Sequence, residues 1–181
     1  MSQKKTKLQA DIKYERKPQL EFTTVLSFAQ ELRLEESPLE QSNFYPASDT
    51  IEDPDVSGIA KLSFSQDFQT LDIDVDIRGD LSDDYKVTLA HIHLEDASKT
   101  GPLTVSLYPN DKACVKITNE RFVLKIQLTN DDIIPRKNDN NFRTNTIASL
   151  YNAIRGNNLY IDAHGSGDYV LGMIRGQIYL N

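Results

Sequence analysis

Apolar and polar residues alternate along most of this chain, which is the pattern of β-strands that bury one face. The clearest example is residues 71–77, where Leu, Ile and Val occupy the odd positions and aspartate the even ones. Similar runs, separated by Gly, Pro and Asn, are 20–28, 58–64, 87–94, 103–107, 114–117, 122–128, 158–164 and 169–180. About seven or eight short strands of this kind predict an all-β fold, an antiparallel Greek-key-like β-sandwich, with 20–28 at an edge.

One segment has the periodicity of a helix and not of a strand. Its apolar positions recur every three or four residues and are Ile147, Leu150, Tyr151 and Ile154. Asn145 precedes them as a candidate N-cap, and Gly156 follows them as a helix stop. The pattern therefore predicts one short helix that packs across an end of the sheets.

Two segments lack apolar periodicity and are predicted to lie outside the core. Residues 1–17 carry six Lys and Arg against Asp11 and Glu15, which indicates a basic, solvated tail. Residues 31–55 are acidic and contain three prolines, so they predict a long surface loop. The rest of residues 18–181 is predicted to form a single domain that carries this loop.

Composition excludes several classes of function. The net charge is −7 and the pI is near 4.9, whereas a nucleic-acid partner requires a basic surface. No apolar run approaches the roughly 18 residues of a membrane span, and no apolar segment typical of a secretory signal follows Met1. Cys114 is the only cysteine, which excludes an internal disulfide, and we expect it in the core. The sequence has no catalytic-triad pattern or phosphate-binding glycine loop, so a non-enzymatic role is favoured.

The three histidines carry the most informative chemistry. His91 and His93 are two residues apart on a predicted strand, so their side chains point to one face and can contact one ion. His164 shares a strand face with Tyr160 and Asp162, and it joins the pair if the two strands are neighbours. Imidazole suits zinc or copper, so one interpretation is a metal site. The alternative is structural: each imidazole donates to a backbone carbonyl or to a carboxylate such as Asp162.

Four short motifs of this sequence resemble the CHRD (chordin-type repeat) domain family. They are Ala-His-Ile-His at 90–93, Gly-Pro at 101–102, Leu-Tyr-Ile-Asp-Ala-His at 159–164, and Ile-Arg-Gly-Gln-Ile at 174–178. Gly165 and Met173 depart from the family pattern, which usually has a threonine and an acidic residue there. The resemblance implies a β-sandwich that acts as a binding or structural module and mediates protein interaction. It also implies an extracellular or surface-exposed location, a protein partner and, as one alternative, a homo-oligomer.

A weaker resemblance is to the copper/zinc superoxide dismutase sandwich. In that comparison His91, His93 and His164 take the positions of copper ligands, and Arg175 takes that of an arginine that guides the anion. This resemblance implies an alternative function, copper or zinc binding with dismutase-like redox activity. The chain departs from that family because no histidine remains for a separate zinc site and Cys114 has no partner.

The last predicted strand supplies the remaining candidate site residues. Arg175 and Gln177 share one strand face, and Arg175 is expected either to pair with Asp162 or to contact an anion or ligand. Tyr160 and Asp162 lie on the histidine-bearing face of their own strand. The predicted binding residues are therefore Arg175, Tyr160, Asp162 and Gln177, and the predicted metal ligands are His91, His93 and His164.

Overall fold

Nine antiparallel strands form one curled sheet in a computed structural model that describes residues 20–34, 44–46, 52–81 and 86–180. The strands of the chain are β1 (Glu21–Ser27), β2 (Leu32–Leu34), β3 (Phe44–Pro46), β4 (Ser57–Phe64), β5 (Leu71–Arg78), β6 (Leu89–His93), β7 (Leu103–Tyr108), β8 (Cys114–Thr118), β9 (Arg121–Leu128), β10 (Arg136–Lys137), β11 (Arg143–Thr144), β12 (Tyr160–His164) and β13 (Ile174–Gln177). The order across the sheet is β7-β6-β12-β13-β1-β4-β5-β9-β8. Two separate pairs, β2–β3 and β10–β11, lie outside it.

The alternation of apolar residues decides which face of the sheet is buried. In β4 and β5 every second side chain is buried, and Leu62 lies opposite Ile73 while Ala60 lies opposite Val75. The inward side chains of the curled sheet belong to one continuous apolar cluster. This architecture confirms the prediction of an all-β, sandwich-like fold. The sheet has nine strands, and not seven or eight, because each alternating run contributes one.

The prediction that residues 20–28 form an edge strand is wrong. β1 lies inside the sheet, between β13 and β4. It pairs with β4 along its whole length, whereas its register with β13 places Ser27 opposite Arg175 and its Thr24 hydroxyl donates to the carbonyl oxygen of Gln177 (2.7 Å). Alternation reports which face of a strand is buried and carries no information about how many neighbours the strand has. Val25 on the outer face is 57% exposed, so β1 has the same alternation of buried and exposed residues as an edge strand.

The predicted helix is confirmed as α1 (Ile147–Arg155), which ends before Gly156. It contributes to the apolar core the buried side chains Ile147, Leu150, Ala153 and Ile154. The N-cap is Thr146 and not Asn145: the Thr146 hydroxyl accepts from the Ser149 backbone N–H (3.2 Å), and the Ser149 hydroxyl accepts from that of Thr146 (2.9 Å). This reciprocal pair satisfies two backbone donors that a helix start leaves open.

Cys114 is exposed, so the expectation that it belongs to the core is wrong. It begins β8, the last strand of the sheet, and lies opposite Lys125 of β9. The next residue, Val115, is the one that packs against the core. A run of only four residues, in which Cys114 and Val115 are both apolar, does not define which of them faces inward.

The described residues cover only part of the predicted acidic loop 31–55. Within it β2 and β3 pair antiparallel, and Glu31 is buried with 3% of its surface exposed. The predicted basic tail 1–17 lies outside the described residues, as do 35–43 and 47–51. No helix in the described part of the chain is long and apolar enough to cross a membrane.

Three adjacent strands, β6, β12 and β13, are covered on both faces. One face contributes Ile92, Ile161 and Ile174 to the core. The opposite face is polar, and the two segments at 95–102 and 165–173 pack over it through hydrogen bonds to its side chains. Polar groups are seldom buried without a compensating partner, so this covered polar face is the candidate functional site.

Candidate metal centre

The pairing of β6 with β12 brings the three histidines together. His91 lies opposite Asp162, and His93 lies opposite Tyr160. Because alternate residues of a strand share a face, these side chains and that of His164 all project from the polar face of the sheet. The two histidine-bearing strands are therefore neighbours, as the prediction that His164 joins His91 and His93 requires.

Four side chains offer donor atoms that lie within 4.8 Å of one another: His91, His93, Asp162 and His164. The Oδ2 atom of Asp162 is 3.4 Å from Nε2 of His93 and 3.4 Å from Nε2 of His164. His91 is further away, with its Nδ1 atom 4.0 Å from Oδ1 of Asp162. A zinc ion with ligands at about 2.0–2.2 Å in a tetrahedron separates neighbouring ligand atoms by about 3.4 Å. Two of these spacings match that geometry, and the donor atom of His91 lies within 4.8 Å of the other three.

Backbone carbonyls hold two of the imidazole rings in a defined orientation. Nδ1 of His93 donates to the carbonyl oxygen of Gly101 (2.8 Å), and Nδ1 of His164 donates to that of Val170 (2.9 Å). A carbonyl oxygen can only accept, so Nδ1 carries the proton in both rings. The neutral ring then has its lone pair on Nε2, which faces Asp162. Proteins fix metal-ligating histidines with this type of contact.

Three of the atoms that face the cluster have no hydrogen-bond partner among the described residues. Among the described residues, four buried side-chain atoms have no such partner, and three of them are here: Nε2 of His93, Nε2 of His164 and Oδ1 of Asp162. The 3.4 Å contacts between the imidazoles and Oδ2 are too long and too poorly directed to serve as hydrogen bonds. Leaving such groups unpaired is costly, whereas one cation would engage all of them. The donor set therefore fits a bound zinc or copper ion.

Burial and the negative charge of Asp162 have opposite effects on the pKa values of the three histidines. Burial lowers the pKa of His91 to about 4, because it outweighs the attraction of Asp162. Burial also opposes the charged forms of His93 and His164, but the Asp162 carboxylate outweighs it and raises both pKa values. Although burial alone would raise the pKa of Asp162, the imidazoles of His164 and His93 hold it well below its usual range. Asp162 is therefore a fixed negative charge at the centre of the cluster.

Comparison with known families agrees with the motifs that meet in this cluster. A family model described as the CHRD domain matches residues 22–178, which is nearly the whole chain. The chain belongs to the CHRD family. The match includes every strand that carries a residue of the cluster. The comparison with curated proteins found no match, and neither did the comparison with solved structures.

Arg175 is a buried residue of this CHRD domain, with 1% of its surface exposed. Its guanidinium donates from Nη2 to the carbonyl oxygen of Asp96 (2.8 Å) and from Nη1 to that of Lys99 (3.0 Å). It also lies 3.5 Å from the ring centroid of Tyr160. No ion pair joins Arg175 to Asp162 in the described part of the chain, although the two residues are opposite each other on β13 and β12. The arginine thus holds the loop 95–102 against the sheet.

Tyr160 and Gln177 contact the same loop of the CHRD domain. The Tyr160 ring stacks on that of His93, with centroids 5.1 Å apart and an angle of 8° between planes. Its hydroxyl oxygen accepts from the backbone N–H of Gly101 (3.0 Å), and Gln177 donates from Nε2 to the carbonyl of Glu95 (3.2 Å). Of the predicted binding residues, Asp162 therefore belongs to the cluster, and the other three lie beside it and anchor the loop that also orients His93.

Glu31 is a residue beside the cluster that sequence reasoning missed. Its Oε1 atom accepts from the backbone N–H of Leu32 (3.1 Å), while Oε2 is buried and has no hydrogen-bond partner in the described residues. Burial, together with the negative charge of Asp162, raises its pKa to about 7. Glu31 begins a long acidic segment, and nothing in the sequence distinguishes it from the acidic residues that follow.

Proposed function

We propose that this chain is a non-enzymatic binding or structural module that holds one zinc or copper ion through His91, His93, His164 and Asp162. Membership of the CHRD family supports a module of this kind. The observation that carries the metal proposal is the convergence of four donor atoms within 4.8 Å, three of which belong to side chains with unpaired buried atoms. Three neutral imidazoles and one carboxylate are ligands that both metals accept.

The geometry favours a structural role for the ion over redox catalysis. Four protein ligands fill a tetrahedral site, whereas catalytic sites keep a position for substrate. The dismutase-like alternative also needs a positively charged side chain that an incoming anion can reach. Arg175 is buried and donates to the carbonyls of Asp96 and Lys99, so it is poorly placed to guide an anion. We therefore propose a metal that stabilises the fold and fixes the loop 95–102.

We expect the purified chain to retain about one zinc or copper ion, and His91→Ala to lose it. His91 is the best ligand to remove because its ring makes no hydrogen bond in the described residues, so its loss disturbs the fold least. Metal content after equilibration and desalting is measured by elemental analysis, and circular dichroism checks the fold. Asp168→Asn, which changes an exposed carboxyl on the segment after His164, is the matched control. Equal metal content in wild type and His91→Ala would refute the assignment.

We also propose that the partner in its protein interaction is a second copy of the chain, bound through the outer face of β1, β4, β5 and β9. Val25 and Ile59 are neighbours there and are 57% and 46% exposed. Oppositely charged residues such as Asp74 and Lys125 alternate beside them, and a two-fold axis lets such a surface complement itself.

We expect sedimentation equilibrium to give a dimer, and Ile59→Lys to give a monomer. A wild-type chain that stays monomeric at about 100 μM would exclude this interface as a stable one.

A further inference from the structure

We propose that Glu31 determines the specificity of the metal centre: its carboxylate adds a second negative charge and favours a divalent over a monovalent cation. This inference rests on the proposed metal site. The starting observation is a carboxylate with 3% exposure and an unpartnered Oε2 atom, the fourth such atom in the described residues beside the three in the cluster. Burying a carboxylate that lacks a compensating partner costs free energy.

The backbone places the Glu31 carboxylate next to the loop that orients His164. Glu31 follows the single-turn helix Phe28–Gln30, which leads out of β1. Its carboxyl group lies against Gly172, where a Cβ atom would overlap both carboxylate oxygens. Gly172 is two residues from Val170, whose carbonyl accepts from the His164 ring. A glycine at 172 therefore makes room for the carboxylate beside the cluster.

The charges around the cluster determine how this second carboxylate would affect a bound cation. Arg175 is a permanent cation opposite Asp162 on the neighbouring strand, so it offsets the negative charge that Asp162 offers to a metal ion. Glu31 interacts electrostatically with Asp162, with His164 and with Arg175. With Glu31 ionised, the two carboxylates and one guanidinium sum to −1. Without it they sum to zero, and a divalent ion would be held in a buried site with its charge uncompensated.

The expected signature is an unequal loss of affinity for two ions of different charge. A Coulombic effect scales with the charge of the ion, so Glu31→Gln should weaken Zn²⁺ binding about tenfold and Cu⁺ binding about threefold. A merely structural role for Glu31 would weaken both by the same factor. Zn²⁺ affinity is measured by competition with a chromophoric chelator at about pH 8, where the carboxyl is ionised, and Cu⁺ affinity likewise under anaerobic reducing conditions.

Two further variants separate charge from packing. Glu31→Asp keeps the charge and should retain most of the preference for Zn²⁺, whereas Asp168→Asn removes an exposed carboxyl and should change neither affinity. Equal affinities in wild type and Glu31→Gln, or an equal fractional loss for both ions, overturn the inference while leaving the metal site intact. A wild-type chain that binds neither ion overturns the proposed function itself, and the inference with it.

Discussion

Arg175→Ala is expected to lower the free energy of unfolding by about 3–5 kcal/mol. Arg175 is the largest fully buried side chain among the residues that the structure describes, and its guanidinium donates to the carbonyls of Asp96 and Lys99. Truncation removes both donors and leaves a cavity under the ring of Tyr160. Urea unfolding of the metal-free protein in excess chelator measures the change without a contribution from bound metal.

Two comparisons isolate the cause of this loss. Arg175→Met keeps an apolar side chain in the cavity and removes only the donors, so it should recover part of the stability. Arg155→Ala removes an exposed arginine at the end of α1 and should change stability by no more than about 0.5 kcal/mol. An Arg175→Ala variant as stable as Arg155→Ala would show that the loop 95–102 does not depend on the guanidinium.

The sequence predicted the strands well because their alternation has a single physical cause. Leu71, Ile73, Val75 and Ile77 face the core and the aspartates between them face water, so the pattern determines both the strand and its buried face. The same reasoning paired His91 with His93 and placed His164 on the face of Asp162, and β6 and β12 are indeed neighbours. Local periodicity was sufficient for these residues.

Features that depend on distant contacts could not be predicted in this way. β1 lies inside the sheet only because β13, far away in sequence, pairs with its end at Ser27. Glu31 is buried because Gly172 leaves space for its carboxylate, and neither residue carries a periodic signal. The partners of Arg175 are backbone carbonyls, which no sequence pattern identifies. Each of these outcomes follows from chain topology and not from local residue type.

The polar face of β6, β12 and β13 explains why the histidines and the loop 95–102 belong to one unit. Gly101 accepts from His93 through its carbonyl and donates to the Tyr160 hydroxyl through its N–H. The Tyr160 ring lies between the His93 ring and the Arg175 guanidinium. A metal ion held by His93 would therefore act on the same contacts that hold the loop. Under the proposed function, this linkage would let a bound metal stabilise the loop 95–102.

Glu31→Gln is expected to stabilise the metal-free protein by about 2–3 kcal/mol at pH 8 and to have little effect near pH 4.5. Burial, with the charge of Asp162, raises the pKa of Glu31 from 4.5 to about 7, while Arg175 and His164 act in the opposite direction. The folded state therefore keeps its proton more tightly than the unfolded state. Stability is lost as pH rises from about 4.5 to about 7, where the folded carboxyl ionises, and the loss persists above that range.

The measurement is the difference in unfolding free energy between wild type and Glu31→Gln, in excess chelator, at the two pH values. Taking the difference cancels the titration of groups that do not interact with Glu31, such as Asp76. A difference that does not change with pH would show that Glu31 is not held in its neutral form by burial. The opposite effects expected for one substitution, greater stability without metal and weaker binding of Zn²⁺, are typical of a residue retained for its ligand at a cost to the fold.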